Sequence, residues 1–374
     1  MSMTTDSSHS TTDAASAFDI RRSAAPRPEA ERAEALAAPR FGTVFTDHMA
    51  RISWSQAGGW HDRRVEAYGP LQIDPACAVL HYAQEIFEGL KAYRHGDGSV
   101  WTFRPWANAA RFAASARRLA LPELSEPDFL GAITALVRTD AAWVPAGNEM
   151  SLYLRPFMFA SESFIGVRSS LEVEFLVIAS PVGPYFVGGV RPVSIWVSED
   201  YHRVGVGGTG AAKCGGNYAA SLLPQQEAYD HGCEQVCFLD ATTNSSLEEL
   251  GGMNVFIVGA DGRISTPTLT GTILEGVTRS SIIRLLNDAG RTVEERRITL
   301  AEVREGLTDG RIAEVFACGT AAVVTPIGRL AGTGFDLTVA DGEAGAVTTQ
   351  VRAELTDIQY GRAADCHGWM RQLI

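Results

Sequence analysis

The sequence predicts a mixed α+β fold in two domains. Three observations carry this expectation. The chain has 374 residues and is 45% hydrophobic, more than a single core usually holds. Strand-like apolar runs alternate with helical patterns, but without the strict strand–helix–strand rhythm of a doubly wound sheet. The stretch PVGPYFVGGV (181–190) is dense in glycine and proline and reads as a connection between domains. The expected division is a flexible tail over 1–38, a smaller domain over 39–184, a linker over 185–193 and a larger domain over 194–374.

Residues 1–38 are rich in Ser, Thr, Ala, Asp and Arg with weak periodicity, and read as a loosely attached tail. PRFGTVFTDHMARISW (39–54) reads as the first strand. HYAQEIFEGLKAYR (81–94) joins a short apolar helix or turn to a strand. PWANAARFAASARRLAL (105–121) is a helix with proline at its start, and Trp106, Ala109, Ala113, Ala116 and Ala120 share one face. A second helix is expected over 127–144, then strands over 151–160 and 171–180. Beyond the linker, short apolar runs predict strands over 192–197, 234–240, 253–258, 313–319 and 321–327, with helices over 217–231, 275–288 and 349–361.

Composition narrows the function. Net charge is −12 with scattered basic residues, so a small-molecule substrate is expected rather than nucleic acid. No apolar run reaches membrane-span length, and the polar N-terminus lacks a signal core. The six cysteines form neither a CxxC pair nor a zinc spacing. A cytoplasmic protein with reduced thiols and no metal site is expected.

Of the 32 basic residues only two, Lys91 and Lys213, are lysines. Lys213 lies in GGTGAAKCGGNYAAS (207–221), among glycines, alanines and other uncharged residues. Arginine stays charged in ordinary sites, whereas a lysine can lose its proton and attack a carbonyl. A surface lysine in a flexible loop accounts for the composition equally well. Gly205-x-Gly207-x-x-Gly210 satisfies the dinucleotide spacing, but no strand precedes it directly and Lys213 with Gly215-Gly216 interrupts any helix after it. The phosphate-loop pattern fails as well, because Cys214 follows the lysine.

An aldehyde cofactor on Lys213 would need an anion for its ring nitrogen, a phosphate cradle and a hydroxyl near its ring oxygen. Glu249 before a predicted strand, the amides of Val277 and Thr278 where TLTGTILEGVTRSSII enters a helix, Thr320 in CGTAA, and Tyr218 are candidates. Each signal alone is weak.

Together, FGTVFTDHM (41–49), LHYAQEIFEGLKAYR (80–94), FRPWANAARF (103–112), YLRPFMFA (153–160), GPYFVGG (183–189), GGTGAAKCGGNYAAS, LEELGGMNVF (247–256), GTILEGVTR (271–279) and VFACGTAAVVTPIG (315–328) resemble the branched-chain amino acid aminotransferases. These are fold-type IV enzymes dependent on pyridoxal 5'-phosphate, with the two-domain architecture of D-amino acid aminotransferase. The resemblance spans roughly 41 to 365.

It implies that Lys213 binds the cofactor aldehyde and then shuttles the substrate proton. Glu249 would face the pyridine nitrogen and Tyr218 the ring oxygen. Arg111, Val277, Thr278 and Thr320 would hold the phosphate. Phe41, Tyr82, Tyr153, Arg155, Tyr185 and Gly252 would line the substrate pocket, with backbone at Thr320 and Ala321 and the Tyr82 hydroxyl taking the substrate carboxylate. It further implies a homodimer in which Ile165 and Val167 complete the partner's pocket. The implied substrates are leucine, isoleucine or valine and 2-oxoglutarate with their keto- and amino-acid counterparts. The family's D-amino acid aminotransferases and aminodeoxychorismate lyases are the nearest alternatives. Ala322 and Thr325 stand where some members carry a CxxC redox pair, so that thiol regulation is not expected. Gly252 replaces a threonine of some members and leaves extra room.

Overall fold

The computed structural model describes residues 12–147, 149–184 and 189–374. The chain opens with α1 (Thr12–Ser16), β1 (Asp19–Ile20) and α2 (Glu29–Ala37). Then follow β2 (His48–Ser55), β3 (Gly59–Ala67), α3 (Ala78–Tyr82), β4 (Glu85–Phe87), β5 (Leu90–Arg94) and β6 (Val100–Phe103). Two helices, α4 (Pro105–Arg118) and α5 (Glu126–Thr139), precede the long antiparallel pair β7 (Ser151–Ala160) and β8 (Glu172–Val182).

These strands form one sheet in the order β1-β3-β2-β8-β7-β5-β6, with β4 branching from β7. Helices α4 and α5 cover it. Phe112 of α4, Phe129 of α5 and Phe175 of β8 meet ring to ring at 5.4–6.1 Å. Ser125 caps α5 by accepting from the Asp128 amide at 3.2 Å.

The second sheet begins with β9 (Val193–Ser198). It continues through α6 (Gly215–Ala219), α7 (Leu222–Asp230), β10 (Gln235–Leu239), β11 (Leu247–Leu250), β12 (Asn254–Gly259) and β13 (Ile264–Pro267). Next come α8 (Val277–Asp288), β14 (Val293–Arg296), α9 (Leu300–Thr308), β15 (Ile312–Gly319), β16 (Val323–Gly332), β17 (Phe335–Thr338) and α10 (Ala346–Gln359). Strand order is β11-β10-β9-β16-β15-β12-β13-β14, with β17 on β16.

Both faces of this sheet are buried, which explains its continuous apolar runs. Phe256, Val258, Phe316 and Val324 face α8 and α10, while Val255, Ile257, Val315 and Ala317 face α9. No described helix is long and apolar enough to cross a membrane.

Several expectations need correction. Residues 12–38 are not a loose tail. Ala15 and Phe18 are buried in the first core, and Gly131 of α5 lacks the Cβ that would press on the Ala14 backbone, so α1 sits close. The Ser23 amide donates to His48 Nε2 at 2.8 Å and the Arg27 amide to Asp47 Oδ1 at 2.9 Å. These contacts are tertiary, and no local periodicity announces them.

The larger C-terminal unit is not self-contained either. A last strand, β18 (Met370–Gln372), returns to the first sheet and pairs antiparallel with β6. The helix expected over 217–231 breaks at Ala220–Ser221 into α6 and α7, and the strand expected from 39 begins only at His48. The buried stripe of α4 runs Asn108, Ala109, Phe112, Ser115, Ala116, whereas Ala120 lies past the helix end at φ 52°.

Candidate active site

Lys213 lies in the loop between β9 and α6, and its backbone is pinned from the first sheet's side. Its amide donates to Ser115 Oγ of α4 at 2.9 Å, and its carbonyl accepts from the Phe87 amide of β4 at 2.9 Å. Asn217 Nδ2 ties the carbonyls of Thr209 and Ala212 at 2.9 Å each. Gly210 has no Cβ to collide with the Thr272 backbone, so the loop packs directly on residues 271–272. With its backbone fixed, Lys213 directs its Nζ to the Tyr218 hydroxyl at 2.7 Å. The ammonium lies 4.8 Å from the Phe87 ring centre and 5.1 Å from that of Tyr218.

Glu249 precedes β12 as expected, but it lies in a further strand, β11, rather than in a turn, and it is buried. Its Oε1 pairs with Arg203 at 2.8 Å and accepts from the Leu274 amide at 3.2 Å. Burial pushes its carboxyl up to about 7, against the downward pull of Arg203, that hydrogen bond and Lys213. Arg203 also grips the carbonyls of Thr272 (2.7 Å) and Gly210 (3.2 Å), binding the lysine loop to the carboxylate's own surroundings.

Arg111 projects from α4 into an anion-holding corner. Its Nε and Nη2 meet Glu88 at 2.7 and 2.9 Å, and its Nη1 donates to the Glu275 carbonyl at 2.9 Å. That last bond brings Arg111 to the start of α8. Gly276 precedes the helix, no side chain caps it, and a Cβ at Gly276 would strike Asn254. The first-turn amides of Val277 and Thr278 therefore have no intrahelical acceptor. Thr278, Thr320, Val277 and Asn108 line one small cavity. An uncapped helix N-terminus, a buried arginine and two threonines suit a phosphate monoester.

Glu88 is fully buried, yet its carboxyl lies below the usual range. Burial alone would raise it, but Arg111, Lys213 and Asn108 outweigh burial. Asn108 donates to it at 2.8 Å.

Arg155 shares the Phe87 ring with Lys213, and Tyr153 and then Phe41 extend from Arg155. Arg155 donates to the Tyr153 hydroxyl at 2.9 Å and lies over the Phe87 ring at 4.7 Å. Its Nε is buried with no partner among the described residues, a donor available to an anion. Phe41 packs edge-on against Tyr153 at 4.9 Å. A Cβ at Gly252 would only touch the Tyr218 ring, at 3.8 Å, so this wall has room beside the ring. Tyr185 lies outside the described residues.

Tyr82 reaches toward a loop of its own chain. Its hydroxyl donates to the Ile165 carbonyl at 2.8 Å. It shares an exposed apolar patch with Leu80, Ile165 and Val167, the last 89% exposed. The structure groups Tyr82 with the 165–167 loop, not with Lys213.

Residues 85–330 match the amino-transferase class IV family model. The branched-chain-amino-acid aminotransferase of Mycobacterium tuberculosis is 52% identical over 360 residues, covering 95% of this chain and 98% of that protein. A probable branched-chain-amino-acid aminotransferase of Streptomyces coelicolor is 55% identical over 357 residues, with 95% and 98% covered. The chain belongs to the branched-chain amino acid aminotransferase family.

Solved members of this family share its fold. The Escherichia coli branched-chain amino acid aminotransferase superposes with a TM-score of 0.71 at 28% identity, over 87% of this chain and 100% of that one. The T.th. enzyme complexed with N-(5'-phosphopyridoxyl)-L-glutamate gives 0.70 at 29% identity, over 87% and 99%.

Three further groups in this family member escaped the sequence reading. Glu88 braces Arg111, Arg203 holds Glu249, and Ser115 pins the lysine backbone. A carboxylate inside the apolar run EIFEGLKAY was the available signal for Glu88. Nothing local marks Arg203 or Ser115, whose partners are distant in sequence.

Proposed function

We propose that this chain reversibly transfers the amino group between L-leucine, L-isoleucine or L-valine and 2-oxoglutarate, using pyridoxal 5'-phosphate held at Lys213. The arrangement that carries this reading is the Lys213 amine against Tyr218, within the charge field of buried Glu249, across from Arg111 and the uncapped start of α8.

The residues present fit that cofactor. Arg111 with the amides of Val277 and Thr278 and the Thr320 hydroxyl would hold its phosphate, Tyr218 its ring oxygen and Glu249 its ring nitrogen. When bound, it supplies an electron sink for the substrate α-carbon. Lys213 Nζ, positioned by Tyr218, would serve as the general base that takes and returns the substrate α-proton. Buried Glu249 would serve as the anionic partner of the cofactor's ring nitrogen. Arg111 stays charged through Glu88, which frees Glu88 from needing a proton.

Phe41, Phe87 and Tyr153 supply an apolar wall for a branched side chain. The partnerless Arg155 Nε suits the second carboxylate of 2-oxoglutarate. Gly252, beside Tyr218, leaves space on the same wall. Ile165, Val167 and Tyr82 form one exposed unit, which supports a homodimer in which this patch enters the partner's pocket. The free cysteines agree with a cytoplasmic setting.

Assays with L-leucine, D-alanine and aminodeoxychorismate test the reaction. Turnover of L-leucine with 2-oxoglutarate is expected. Turnover of D-alanine or aminodeoxychorismate without L-leucine overturns the reading.

A further inference from the structure

The chain's second lysine, Lys91, is buried on β5 and takes no part in the reaction derived above. Its Nζ crosses from the first sheet to the second and donates to the Ala321 carbonyl at 2.8 Å. Arg352 of α10 approaches the same hairpin and donates to the carbonyls of Ala322 and Val324 at 2.9 Å each. Its other arm meets Glu149, just before β7, at 2.8 Å. Two cations thus hold three carbonyls of one tight hairpin, each tied also to the first sheet or its flanking loop.

The hairpin needs holding. Val323 sits at φ 62°, a conformation that a β-branched residue adopts only when its surroundings impose it. In a trans peptide the carbonyl and the following N–H point in opposite directions. Clamping the carbonyls of Ala321 and Ala322 therefore orients the N–H groups of Ala322 and Val323, and with them the turn that carries Thr320 and Ala321. On the first sheet Lys91 is the cross-strand partner of Tyr153. It therefore also sets the spacing between the wall bearing Tyr153 and Arg155 and the turn opposite.

We infer that Lys91 is a positioning residue that, with Arg352, fixes the Thr320–Ala322 turn so that it receives the α-carboxylate common to amino-acid and keto-acid substrates. The inference rests on the aminotransferase reading above. Lys91 borders the small cavity lined by Thr278 and Thr320, but its Nζ is engaged by the Ala321 carbonyl, and its effect passes through the turn.

Lys91→Met tests it. Every substrate of both half-reactions carries an α-carboxylate, so KM should rise about tenfold for L-leucine and for 2-oxoglutarate alike, with kcat changed less than about threefold. The visible cofactor band and its bleaching by borohydride should persist. Lys91→Arg, which keeps a charged donor, should recover most of the affinity. If KM rises for one substrate only, or stays unchanged while the band persists, the inference is wrong. If kcat falls in step with lost band intensity or lost thermal stability, Lys91 is a brace of the fold alone. Should Lys91→Met fail to fold, Lys91→Gln carries the same comparison. Absence of a cofactor band in the unmodified protein would instead overturn the aminotransferase reading.

Discussion

At the scale of single residues, the use of lysine follows from what arginine cannot do. Lys213 must exist without its proton to work as a base, and a guanidinium does not give one up. Lys213→Ala should lower turnover by roughly a thousandfold or more, and Lys213→Arg should do no better despite keeping the charge. Steady-state rates with leucine and 2-oxoglutarate check this. Glu249 makes a separate prediction about pH. Its folded value, about 7, is raised above the ordinary carboxylate value of 4.5. A raised acid stabilises the fold fully below the unfolded value and loses that contribution as pH climbs through the folded one. Cofactor-free protein should therefore lose up to about 3 kcal/mol from this group between pH 4.5 and 7. Glu249→Gln should remove that slope, as denaturant titrations across the window would report. Lys213 stood out in the sequence because lysine is rare in this chain, Glu249 and Tyr218 were weak local candidates, and Arg111 entered through the family resemblance alone. Arg203 did not, because its role depends on Thr272, Gly210 and Glu249 meeting through the fold.

At the scale of elements, α4 does more than cover a sheet. Its buried stripe carries Asn108 and Ser115, and Arg111 rises beside it, so one helix braces the Arg111 corner and the lysine loop together. The alanine stripe read from the sequence missed this, since periodicity counts apolar positions and ignores buried polar ones. Removing Glu88 leaves Arg111 buried without its counter-ion. Glu88→Ala should cost about 3–5 kcal/mol and weaken cofactor affinity, measurable by thermal unfolding and by titration with pyridoxal phosphate. The long strands β7 and β8 were legible because they are apolar on both faces. The edge strands β1 and β18 are short, their neighbour β3 is charged, and pairing partners decide them. Helix α1 depends on Gly131, so Gly131→Leu should release it. Limited proteolysis would then cut within residues 12–38 while leaving the second sheet intact.

At the scale of the whole molecule, the proposed site is a seam between two sheets. The first contributes Phe87, Arg111, Tyr153 and Arg155, and the second contributes Lys213, Glu249, the start of α8 and the hairpin at Thr320. The exposed patch of Leu80, Tyr82, Ile165 and Val167 has no covering within the described chain. Val167→Glu combined with Ile165→Glu should halve the mass seen by light scattering and lower activity sharply if this patch seats in a second copy. Unchanged mass would remove the homodimer from the proposal.

Strand β18 has a consequence for how the chain is made. The first sheet's outer edge at β6 waits for residues that leave the ribosome only after the entire second sheet. Until then β6 presents open backbone donors and acceptors, a template for pairing with other chains. A fragment stopping at residue 184 would keep that edge bare permanently, so it should aggregate when expressed alone. Supplying residues 365–374 as a separate peptide should rescue its solubility.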